Sequence, residues 1–555
     1  MKKRYKFIIG VIFLLGLLFI YLLMVTRMPE PDHRTISEEE LSAVNVNDSL
    51  VVCGDSWLKL NQYGMWELYV QGDPYAMGIK NGRLTKHLVQ YQEAAFVEQI
   101  DQLVPSRSYL HFLRVFLGWF NRDLLNHIPE EYQLEIAGVS KSASDEYNFI
   151  APPFQRIMSY HGAHDMGHAL QSMCLVGCTS FGVWNHYSAD SSLLIGRNFD
   201  FYAGDRFSEN KIIAFVKPDD GHAFMSVTWG GMIGVVSGMN QKGLTITLNA
   251  EPSGIPWISK TPVSILARKI LQYASTIEEA FAIAKESDTF VSESFLIGSG
   301  TENKVALIEK TNKQTTLFEP KDNYLAVTNH FLNPLLKEKT KKPANSFEDA
   351  STYRLNRVES LIDSLGTFSV VDMASLLRDR KGKGGENIGF TNEKSINQLI
   401  AHHGIIFKPG EKKVWVSAAP YQLGAFVAYD LDEIFADPQS FRLKKVFNCE
   451  EGIAPDSLLQ TSDYQSFIQY KKTMSIVQKG IQNDVTFTQT ELDRFVSLNE
   501  KYYYSWFLVG NYFFKKENYK LAHSYYTQAL KLEIPQQSAH DELVSLVADC
   551  SEKMK

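Results

Sequence analysis

The stretch that decides the fold is VGCTS at residues 176–180, followed by GRNFD at residues 196–200. Gly177 allows a tight backbone directly before Cys178, because glycine has no side chain. Cys178 opens the first of two neighbouring β-type runs, and the second run ends with Arg197 and Asp200. If these strands pair, a thiol, a cation and a carboxylate meet at one sheet edge. A cysteine after a glycine is more often a small buried hydrophobe than a nucleophile, so this stretch alone does not identify a function.

Further β-type runs surround this pair, and helical patterns lie between them. The clearest strands are predicted at residues 179–184, 193–198, 212–217, 223–229, 244–249, 414–418 and 425–429. Helices are predicted at residues 94–103, 110–124, 262–285, 353–365 and 371–377. Another helix opens at Pro129, where a proline followed by two acids favours a helix start. Blocks of strands separated by helices predict an α+β fold in which helices cover sheets.

Composition limits the functional classes that fit this chain. It has 555 residues, 45% of them hydrophobic and 21% charged, so it folds and is long enough for two or three domains. Its net charge of −7 argues against a nucleic-acid partner, which selects for a basic face. Five cysteines without a CxxC pair are too few for a disulfide scaffold and do not suit zinc. The sequence therefore predicts a large, ordered enzyme without a cofactor or metal.

The N-terminus carries 19 consecutive uncharged, mostly apolar residues at positions 7–25. As a helix this run would be roughly 28 Å long, close to the hydrocarbon thickness of a bilayer. Basic residues precede it at Lys2, Lys3, Arg4 and Lys6. By the positive-inside rule the rest of the chain is exported, to the bacterial periplasm or the cell exterior. We therefore predict a transmembrane signal anchor at residues 1–27 and a linker at residues 28–48. A cleaved signal peptide is the alternative, although no small-x-small cleavage site follows the run.

The C-terminal residues 446–555 are predicted to be helical, and one part of them is similar to a tetratricopeptide repeat. The consensus positions are Trp506, Val509, Gly510, Phe513, Ala522, Tyr526, Ala529 and Pro535. One repeat does not form a solenoid, so an ordinary helix pair that caps the main domain is an equal alternative. A protein partner at this tail is expected only on the repeat interpretation.

The motifs around Cys178, taken in order, resemble those of the N-terminal nucleophile hydrolases. The branch is the one that holds isopenicillin N acyltransferase and the choloylglycine hydrolases, which cleave conjugated bile acids and penicillin V. The GCTS stretch is similar to the acyltransferase's self-cleavage and nucleophile site, and GRNFD to the branch's Gly-Arg-Asn-x-Asp motif. Later segments also match in order: GMNQKGL at residues 238–244 running to Asn249, VTNH at 327–330 and STYR at 351–354. The resemblance covers roughly residues 65–430.

The resemblance implies a four-layer αββα fold and self-cleavage between Gly177 and Cys178. The Cys178 thiol would attack the Gly177 carbonyl, and hydrolysis would free a new α-amine. With an ordinary pKa of about 8, that amine would serve as the general base for the thiol. The thiolate would then attack an acyl carbonyl and form a thioester. Residues 49–177 would be a pro-segment that stays bound after the cut, and residues 178–445 the catalytic core.

The resemblance also implies roles for five further residues. Asn249 and Asn329 would hold the oxyanion, each contributing about 3 kcal/mol. Asp200 would orient the α-amine, Arg197 would hold the thiolate and the amine, and Arg354 would complete the set. On the residues alone, the asparagines also fit turn or strand-end positions, and Arg197 with Asp200 fits an ordinary salt bridge. Arg354 alone also fits pairing with a surface acid.

Two other features compete with this interpretation. Cys174 is a rival nucleophile, but it lacks the preceding glycine and the following Thr-Ser. His161, His164 and His168 form a histidine cluster, but the HExxH pattern that zinc would want is absent. We therefore expect this cluster to be a polar wall or a linker rather than a metal site.

Three functions are consistent with the sequence. The first is an exported, membrane-anchored, self-processing cysteine hydrolase or acyltransferase that acts on a non-peptide N-acyl amide, with a small N-acyl or lipid-like substrate. The second is an ester-cleaving lysolipid hydrolase of the same superfamily. The third is a non-catalytic anchored scaffold whose tail binds a partner. The joint presence of Cys178, Arg197, Asp200, Asn249 and Asn329 argues against the third.

Overall fold

Two β-sheets stack face to face in the computed structural model, which describes residues 2–37, 42–103, 116–169, 177–202, 204–253, 258–338 and 347–555. In chain order, the strands β1 to β18 are Ala43–Asn47, Leu50–Cys53, Ser56–Leu60, Trp66–Gly72, Thr179–Asn185, Ser191–Phe199, Ile212–Pro218, Phe224–Thr228, Ser237–Asn240, Leu244–Ala250, Glu293–Ser299, Lys304–Lys310, Thr315–Phe318, Tyr324–Val327, His403–Lys408, Lys413–Ser417, Phe426–Asp430 and Asn448–Ile453.

Strands from before and after the predicted cleavage site pair within one sheet. The larger sheet has 11 strands in the order β1-β2-β3-β4-β7-β8-β9-β10-β11-β12-β13. The smaller sheet has 7 strands in the order β14-β5-β6-β15-β16-β17-β18. Strands β4 and β7 pair in parallel, from Trp66 opposite Ile212 to Gly72 opposite Pro218. Because β4 precedes Cys178 and β7 follows it, the larger sheet contains strands from both segments.

A continuous apolar layer fills the space between the sheets. It includes Trp57 and Phe215 from the larger sheet and Phe407 from the smaller one, all fully buried. The sheets approach closely at Gly298, where an added Cβ would lie 2.1 Å from Cδ1 of Ile195 on the opposite sheet. The strands at this point are therefore buried on both faces.

Helices cover the outer face of each sheet. Val263–Tyr273 and Ile277–Glu286 pack on the larger sheet, and Ala350–Leu365 and Val370–Leu377 pack on the smaller one. The order of layers is therefore helix, sheet, sheet, helix. The other helices are Lys2–Val25, Pro74–Leu84, Lys86–Leu103, Glu130–Ser140, Pro153–Ala169, Pro334–Lys337, Leu431–Ala436, Ser462–Gln482, Gln489–Ser497, Tyr503–Lys515, Tyr519–Ala529 and Gln537–Lys553.

The helix predicted over residues 262–285 is two helices. The first ends at Tyr273. The second begins after Thr276, whose side chain accepts a hydrogen bond from the backbone N–H of Glu279 at 3.2 Å. Such an N-cap satisfies a backbone donor that would otherwise lack a partner, so it favours a new helix start at this position.

The C-terminal region is helical from Ser462 onward and packs on the preceding part of the chain. The predicted boundary at residue 446 is too early, because Asn448–Ile453 forms β18 and pairs with β17 in the smaller sheet. In the repeat-like segment, the ring of Tyr526 lies so close to Gly510 that an added Cβ would be 2.4 Å from it. Asn499 joins the region to a long loop of the catalytic part. Its side chain accepts from the backbone N–H of Phe390 at 3.0 Å and donates to the Phe390 carbonyl at 3.0 Å.

The N-terminus requires a correction of the sequence-based prediction. A helix is present over Lys2–Val25, but Lys2, Lys3, Arg4 and Lys6 lie inside it rather than before it. Within the described part of the chain, no helix has the combination of length and hydropathy that crossing a membrane requires. The prediction of a transmembrane signal anchor at residues 1–27 is therefore wrong, whereas the mixed α+β fold is confirmed.

Candidate active site

Cys178 lies directly before β5 and is 1% exposed. Strand β5 pairs antiparallel with β6, so that Ser180 lies opposite Arg197. This register places Nη2 of Arg197 3.5 Å from the Cys178 Sγ. It also brings Gly177 beside the end of β6, where its backbone N–H donates to the Asp200 carbonyl at 2.9 Å. The strand pairing thus brings together the thiol, the cation and the carboxylate.

The guanidinium of Arg197 is held by several groups at once. Nη1 donates to the Val236 carbonyl at 3.0 Å and to the Ser237 Oγ at 2.5 Å, and Nη2 also donates to the Leu248 carbonyl. Its Cζ lies 4.4 Å from the centre of the Phe199 ring. These donors are directed to the thiol and to β9 and β10 rather than to a carboxylate. The arrangement therefore favours a positioned cation beside Cys178 over an ordinary salt bridge.

Asp200 is completely buried, and its carboxyl lies near the Gln422 side chain and the guanidinium groups of Arg354 and Arg197. Burial raises the pKa of this carboxyl to about 7, although the positive charge of Arg354 partly offsets the increase. A carboxyl with such a pKa changes its protonation state near neutral pH. Asp200 therefore has the properties of a proton-exchanging group.

The Cys178 thiol is protonated at neutral pH in the uncleaved chain. Burial raises its pKa to about 11, with Arg197 lowering it and Asp200 raising it by their charges. Apolar side chains surround the thiol, namely Phe199, Phe201, Phe207, Trp229, Met232 and Val236. A buried thiol of this kind needs a nearby base before it becomes a nucleophile.

Asn249 lies near the end of β10 and faces the start of β5. Its Oδ1 accepts from the Ser180 Oγ at 2.7 Å, and its Nδ2 donates to the Thr328 carbonyl at 3.1 Å. The side chain thus links three segments close to Cys178. Its Nδ2 also lies 3.4 Å from the Val327 carbonyl, so both hydrogens of this amide have acceptors in the uncleaved chain.

Asn329 and Arg354 form a second pair beside the site. Arg354 is 2% exposed, and its Nη2 donates to Oδ1 of Asn329 at 2.6 Å. Its Nη1 donates to the Glu393 carbonyl at 3.2 Å. Asn329 in turn donates from Nδ2 to the Ala250 carbonyl at 3.0 Å. Arg354 therefore belongs to the buried network beside the site and does not pair with a surface acid.

Gln398 is a site residue that the sequence reasoning missed. Its Nε2 donates to the Gly177 carbonyl oxygen at 2.8 Å, and the residue is 1% exposed. A distance of 221 positions along the chain separates the two residues. Gln398 lies outside regular secondary structure, so no periodicity or motif in the sequence signals this contact.

Two adjacent histidines, His402 and His403, also lie near Arg197 and were not predicted as site residues. Their Nδ1 atoms, in His402 and His403, lie 3.0 Å apart, and Nε2 of His403 lies 2.9 Å from the Ser237 Oγ that receives the Arg197 hydrogen bond. Burial, reinforced by nearby positive charge, holds the pKa of both histidines well below the usual range, so they are neutral. In the sequence, the only feature that sets these residues apart is that the two histidines are consecutive.

A small apolar cleft with a cavity volume of about 40 Å³ adjoins the apolar cluster that contains Cys178. Phe201, Phe207, Trp229 and Met232 line it and also belong to the apolar cluster around Cys178. Residues from before the predicted cleavage site complete its wall: Gln92, Glu93, Phe96, Ile157, Tyr160 and His161. The cleft thus has the apolar character that an acyl chain requires.

Of the histidine cluster and the rival cysteine, the structure describes the side chain of His161 only. His161 lies 2.9 Å from the Ile157 carbonyl through Nδ1, and its Nε2 accepts from the Ile233 N–H at 3.0 Å. Both ring nitrogens of His161 are thus occupied. The side chains of His164 and His168, and the whole of Cys174, lie outside the described residues.

Residues 187–419 match a family model described as acyl-coenzyme A:6-aminopenicillanic acid acyl-transferase. The matched range contains Arg197, Asp200, Asn249, Asn329 and Arg354 and begins shortly after Cys178. The match confirms the resemblance to the acyltransferase and choloylglycine hydrolase branch of the N-terminal nucleophile hydrolases. The description of this family fits the predicted class of enzyme, an amide-cleaving hydrolase or acyltransferase.

Individual relatives are more distant. An uncharacterized protein of Archaeoglobus fulgidus is 25% identical over 312 residues, which make up 49% of this chain and 51% of that protein. The chain thus spans about half the length of this relative. Protein dcd1B of Dictyostelium discoideum is 21% identical over 426 residues, covering 71% of this chain and 79% of that protein.

Solved structures also resemble parts of the chain. The Caenorhabditis elegans ortholog of N-acylethanolamine-hydrolyzing acid amidase is 16% identical and aligns over 42% of this chain and 93% of its own, with a TM-score of 0.32. Conjugated bile acid hydrolase from Clostridium perfringens, in its R18L variant, is 14% identical and aligns over 46% of this chain and 93% of its own, with a TM-score of 0.33.

Proposed function

Taking the family match over residues 187–419 as the premise, we propose that this chain is a self-processing cysteine hydrolase or acyltransferase that acts on a linear, non-peptide N-acyl amide. One observation carries the proposal. The thiol that directly follows Gly177 lies 3.5 Å from the Arg197 guanidinium, in the same buried site as the Asp200 carboxyl. These are the groups that a cysteine nucleophile with an N-terminal amine needs.

In this proposal the mature site forms when the bond between Gly177 and Cys178 is cut. The released α-amine of Cys178 has an ordinary pKa of about 8, so it accepts the thiol proton near neutral pH. Arg197 stabilises the resulting thiolate through its Nη2 contact. Before the cut that nitrogen is part of a peptide bond and is not basic, so the buried thiol lacks this base in the uncleaved chain.

The acyl transfer then follows from the same groups. The thiolate attacks the substrate's acyl carbonyl, the amide C–N bond breaks, and the acyl group remains on Sγ as a thioester. The amide of Asn329 keeps one hydrogen for the oxyanion, and the amide of Asn249 exchanges its longer contact with the Val327 carbonyl for the oxyanion. Arg354 fixes the orientation of Asn329. Water or an amine then takes the acyl group and restores the thiol.

The apolar cleft supports a lipophilic acyl group as the substrate's larger part. Phe201, Phe207, Trp229 and Met232 line the cleft and share an apolar cluster with Cys178, so an acyl chain bound there would bring its carbonyl towards the thiol. The cavity of the uncleaved chain is only about 40 Å³, so the side chains of the cleft must move to admit such a chain. Export of the catalytic part stays a prediction.

Intact-mass measurement of the purified protein and of Cys178→Ala tests the self-processing step. We expect two fragments that separate between Gly177 and Cys178 in the native chain and one uncut chain in the variant. The processed protein is then assayed with a fatty acyl amide and with a lysophospholipid ester of equal acyl length. Faster turnover of the amide supports the proposal. A chain that stays uncut, or a preference for the ester, contradicts it.

A further inference from the structure

Gln398 places a hydrogen-bond donor on the bond that the proposed function cleaves. The Nε2 of Gln398 lies 2.8 Å from the carbonyl oxygen of Gly177, the oxygen that gains negative charge when a thiol attacks this carbonyl. Both residues are buried, so water does not compete for this oxygen. A donor already aimed at such an oxygen stabilises the transition state without reorganisation.

The other side of Gly177 is fixed as well. Its backbone N–H donates to the Asp200 carbonyl at 2.9 Å, so both polar backbone groups of this residue are held. The fit leaves no room for a side chain. A Cβ on Gly177 would lie 2.4 Å from Nε2 and 2.8 Å from Oε1 of Gln398. The glycine before the nucleophile therefore allows the Gln398 amide to reach the Gly177 carbonyl oxygen, and a larger residue would displace that amide.

The loop that carries Gln398 is itself anchored. Oδ1 of Asn397 accepts from the Leu399 N–H at 3.0 Å, and the Asn397 N–H donates to the Asp379 carbonyl at 2.8 Å. Further up the loop, Asn392 donates to the Glu533 carbonyl of the C-terminal region at 2.9 Å. The Gln398 amide is thus positioned before any reaction takes place.

The two predicted oxyanion donors are engaged elsewhere in the uncleaved chain. Asn249 donates to the Thr328 carbonyl and Asn329 to the Ala250 carbonyl. Neither has a hydrogen bond to the Gly177 oxygen, whereas Gln398 does. Self-cleavage and acyl transfer therefore have different donors available to them.

We propose that Gln398 is the oxyanion-binding catalytic residue of self-cleavage. This inference rests on the proposed function. The Cys178 Sγ forms a bond to the Gly177 carbonyl carbon, and the carbonyl electron pair moves to the oxygen held by Gln398. The C–N bond then breaks, the thiol proton passes to the departing amine, and a thioester remains. Water hydrolyses this thioester and leaves the Gly177 carboxylate, the free thiol and the free α-amine.

The test measures the rate at which the newly translated full-length chain is converted to its two fragments. Gln398→Ala removes the donor, so we expect conversion to slow about 100-fold, as for other single oxyanion donors. Gln398→Glu keeps the shape and donates only when protonated, so its conversion should speed up as the pH falls. A rate for Gln398→Ala within a few fold of the native rate overturns the inference.

A double-mutant cycle separates catalysis by Gln398 from a general loss of structure. In the native background, Gly177→Ala pushes the Gln398 amide aside and should slow conversion strongly. In the Gln398→Ala background the new methyl group has room, so Gly177→Ala should have little further effect. Equal slowing by Gly177→Ala in both backgrounds contradicts the inference.

The outcomes for the two proposals are distinguishable. If the native chain is not cut between Gly177 and Cys178, the proposed function fails and this inference fails with it. If the native chain is cut, Cys178→Ala is not, and Gln398→Ala is cut at the native rate, only the role of Gln398 is wrong.

Discussion

Asp200 is the residue whose charge depends most directly on its neighbours in the site. Burial raises the pKa of its carboxyl to about 7, and the nearby Arg354, Gln422 and Arg197 partly offset the increase. Arg354 is the nearby cation that lowers this pKa most. The protonation state of Asp200 at neutral pH thus reflects a balance between burial and these neighbours.

Replacing Arg354 should shift this balance. In Arg354→Gln the carboxyl of Asp200 loses its main stabilising charge, so its pKa should rise by about one unit or more. If the reaction needs the ionised carboxylate, the pH at which self-cleavage reaches half its maximal rate should move upward by the same amount. The measurement is the rate of fragment formation between pH 5 and 9.

Two controls accompany this pH profile. Arg354→Lys keeps the positive charge and should keep most of the native midpoint. Asp200→Asn removes the titrating group, so the step near pH 7 should disappear from its profile. A midpoint that is the same in Arg354→Gln and the native chain would show that Asp200 does not titrate in this step.

Part of the site follows from local sequence, and part does not. Cys178 and Arg197 lie on neighbouring strands joined by a short turn, so the sequence suffices to bring them together. Asn249 and Asn329 needed the resemblance, because nothing local relates their strands to β5. Gln398 could not be predicted, since a loop with no regular structure carries it across 221 positions to Gly177.

At the scale of elements, the contact between the two sheets depends on a small residue. Gly298 of β11 faces Ile195 of β6, with room for no more than a hydrogen atom. Gly298→Ala overpacks this contact and should destabilise the protein by about 1–3 kcal/mol. We expect a lower melting temperature, measured by calorimetry in the Cys178→Ala background so that the chain stays in one piece.

Gly410→Ala is the matched control for this substitution. No atom lies within 4 Å of the position that its Cβ would occupy. Its melting temperature should therefore stay within about a degree of the parent, since a surface change of this kind is worth less than about 0.5 kcal/mol. Equal shifts for the two glycines would contradict a tight contact at Gly298.

The C-terminal helices support the loop that carries Gln398. Asn499 makes paired hydrogen bonds to the backbone of Phe390, both at 3.0 Å. Asn499→Ala removes both, so we expect faster hydrogen exchange over residues 388–399 and slower self-cleavage, about 10-fold, with the α+β core unchanged. Glu500→Ala, at the exposed neighbouring position, is the control and should change neither. Unaltered exchange in Asn499→Ala would contradict this supporting role.

Elements with a clear signal were predicted well. The strand expected at residues 179–184 is present as Thr179–Asn185, and the one expected at 193–198 as Ser191–Phe199. Strands β11 and β12 were missed because nearly every residue in them is buried, so their sequences lack the alternation that marks a half-exposed strand. Among the described strands of the N-terminal segment, β1 to β4 pair with their neighbours in sequence, and only β4 has a distant partner, β7.

For the whole molecule, Glu67 links stability to pH. It lies on β4, and its Oε1 accepts from Asn61 Nδ2 at 2.8 Å and from the Tyr429 hydroxyl of the opposite sheet at 3.2 Å. Burial raises its pKa from 4.5 to about 7. Between these two values the folded chain binds a proton that the unfolded chain releases. The stability from this group is therefore complete below about pH 4.5 and is lost as the pH rises to 7.

Glu67→Gln keeps both hydrogen bonds and cannot titrate. The difference in unfolding free energy, parent minus variant, should fall by about 3 kcal/mol as the pH rises from 4.5 to 7. Urea unfolding at several pH values, with Cys178→Ala as the parent, measures this difference. A gap between the two proteins that does not change with pH would contradict the raised pKa.

The parallel pairing of β4 with β7 has a consequence for how the protein can refold after the cut. The cut after Gly177 would leave four strands of the larger sheet on one polypeptide and seven on the other. Folding of the precursor is a first-order event, whereas reassembly of the separated pieces would be second-order and would slow with dilution. Unfolding and refolding of the mature protein would thus show hysteresis, because the two separated pieces can no longer fold as one continuous chain.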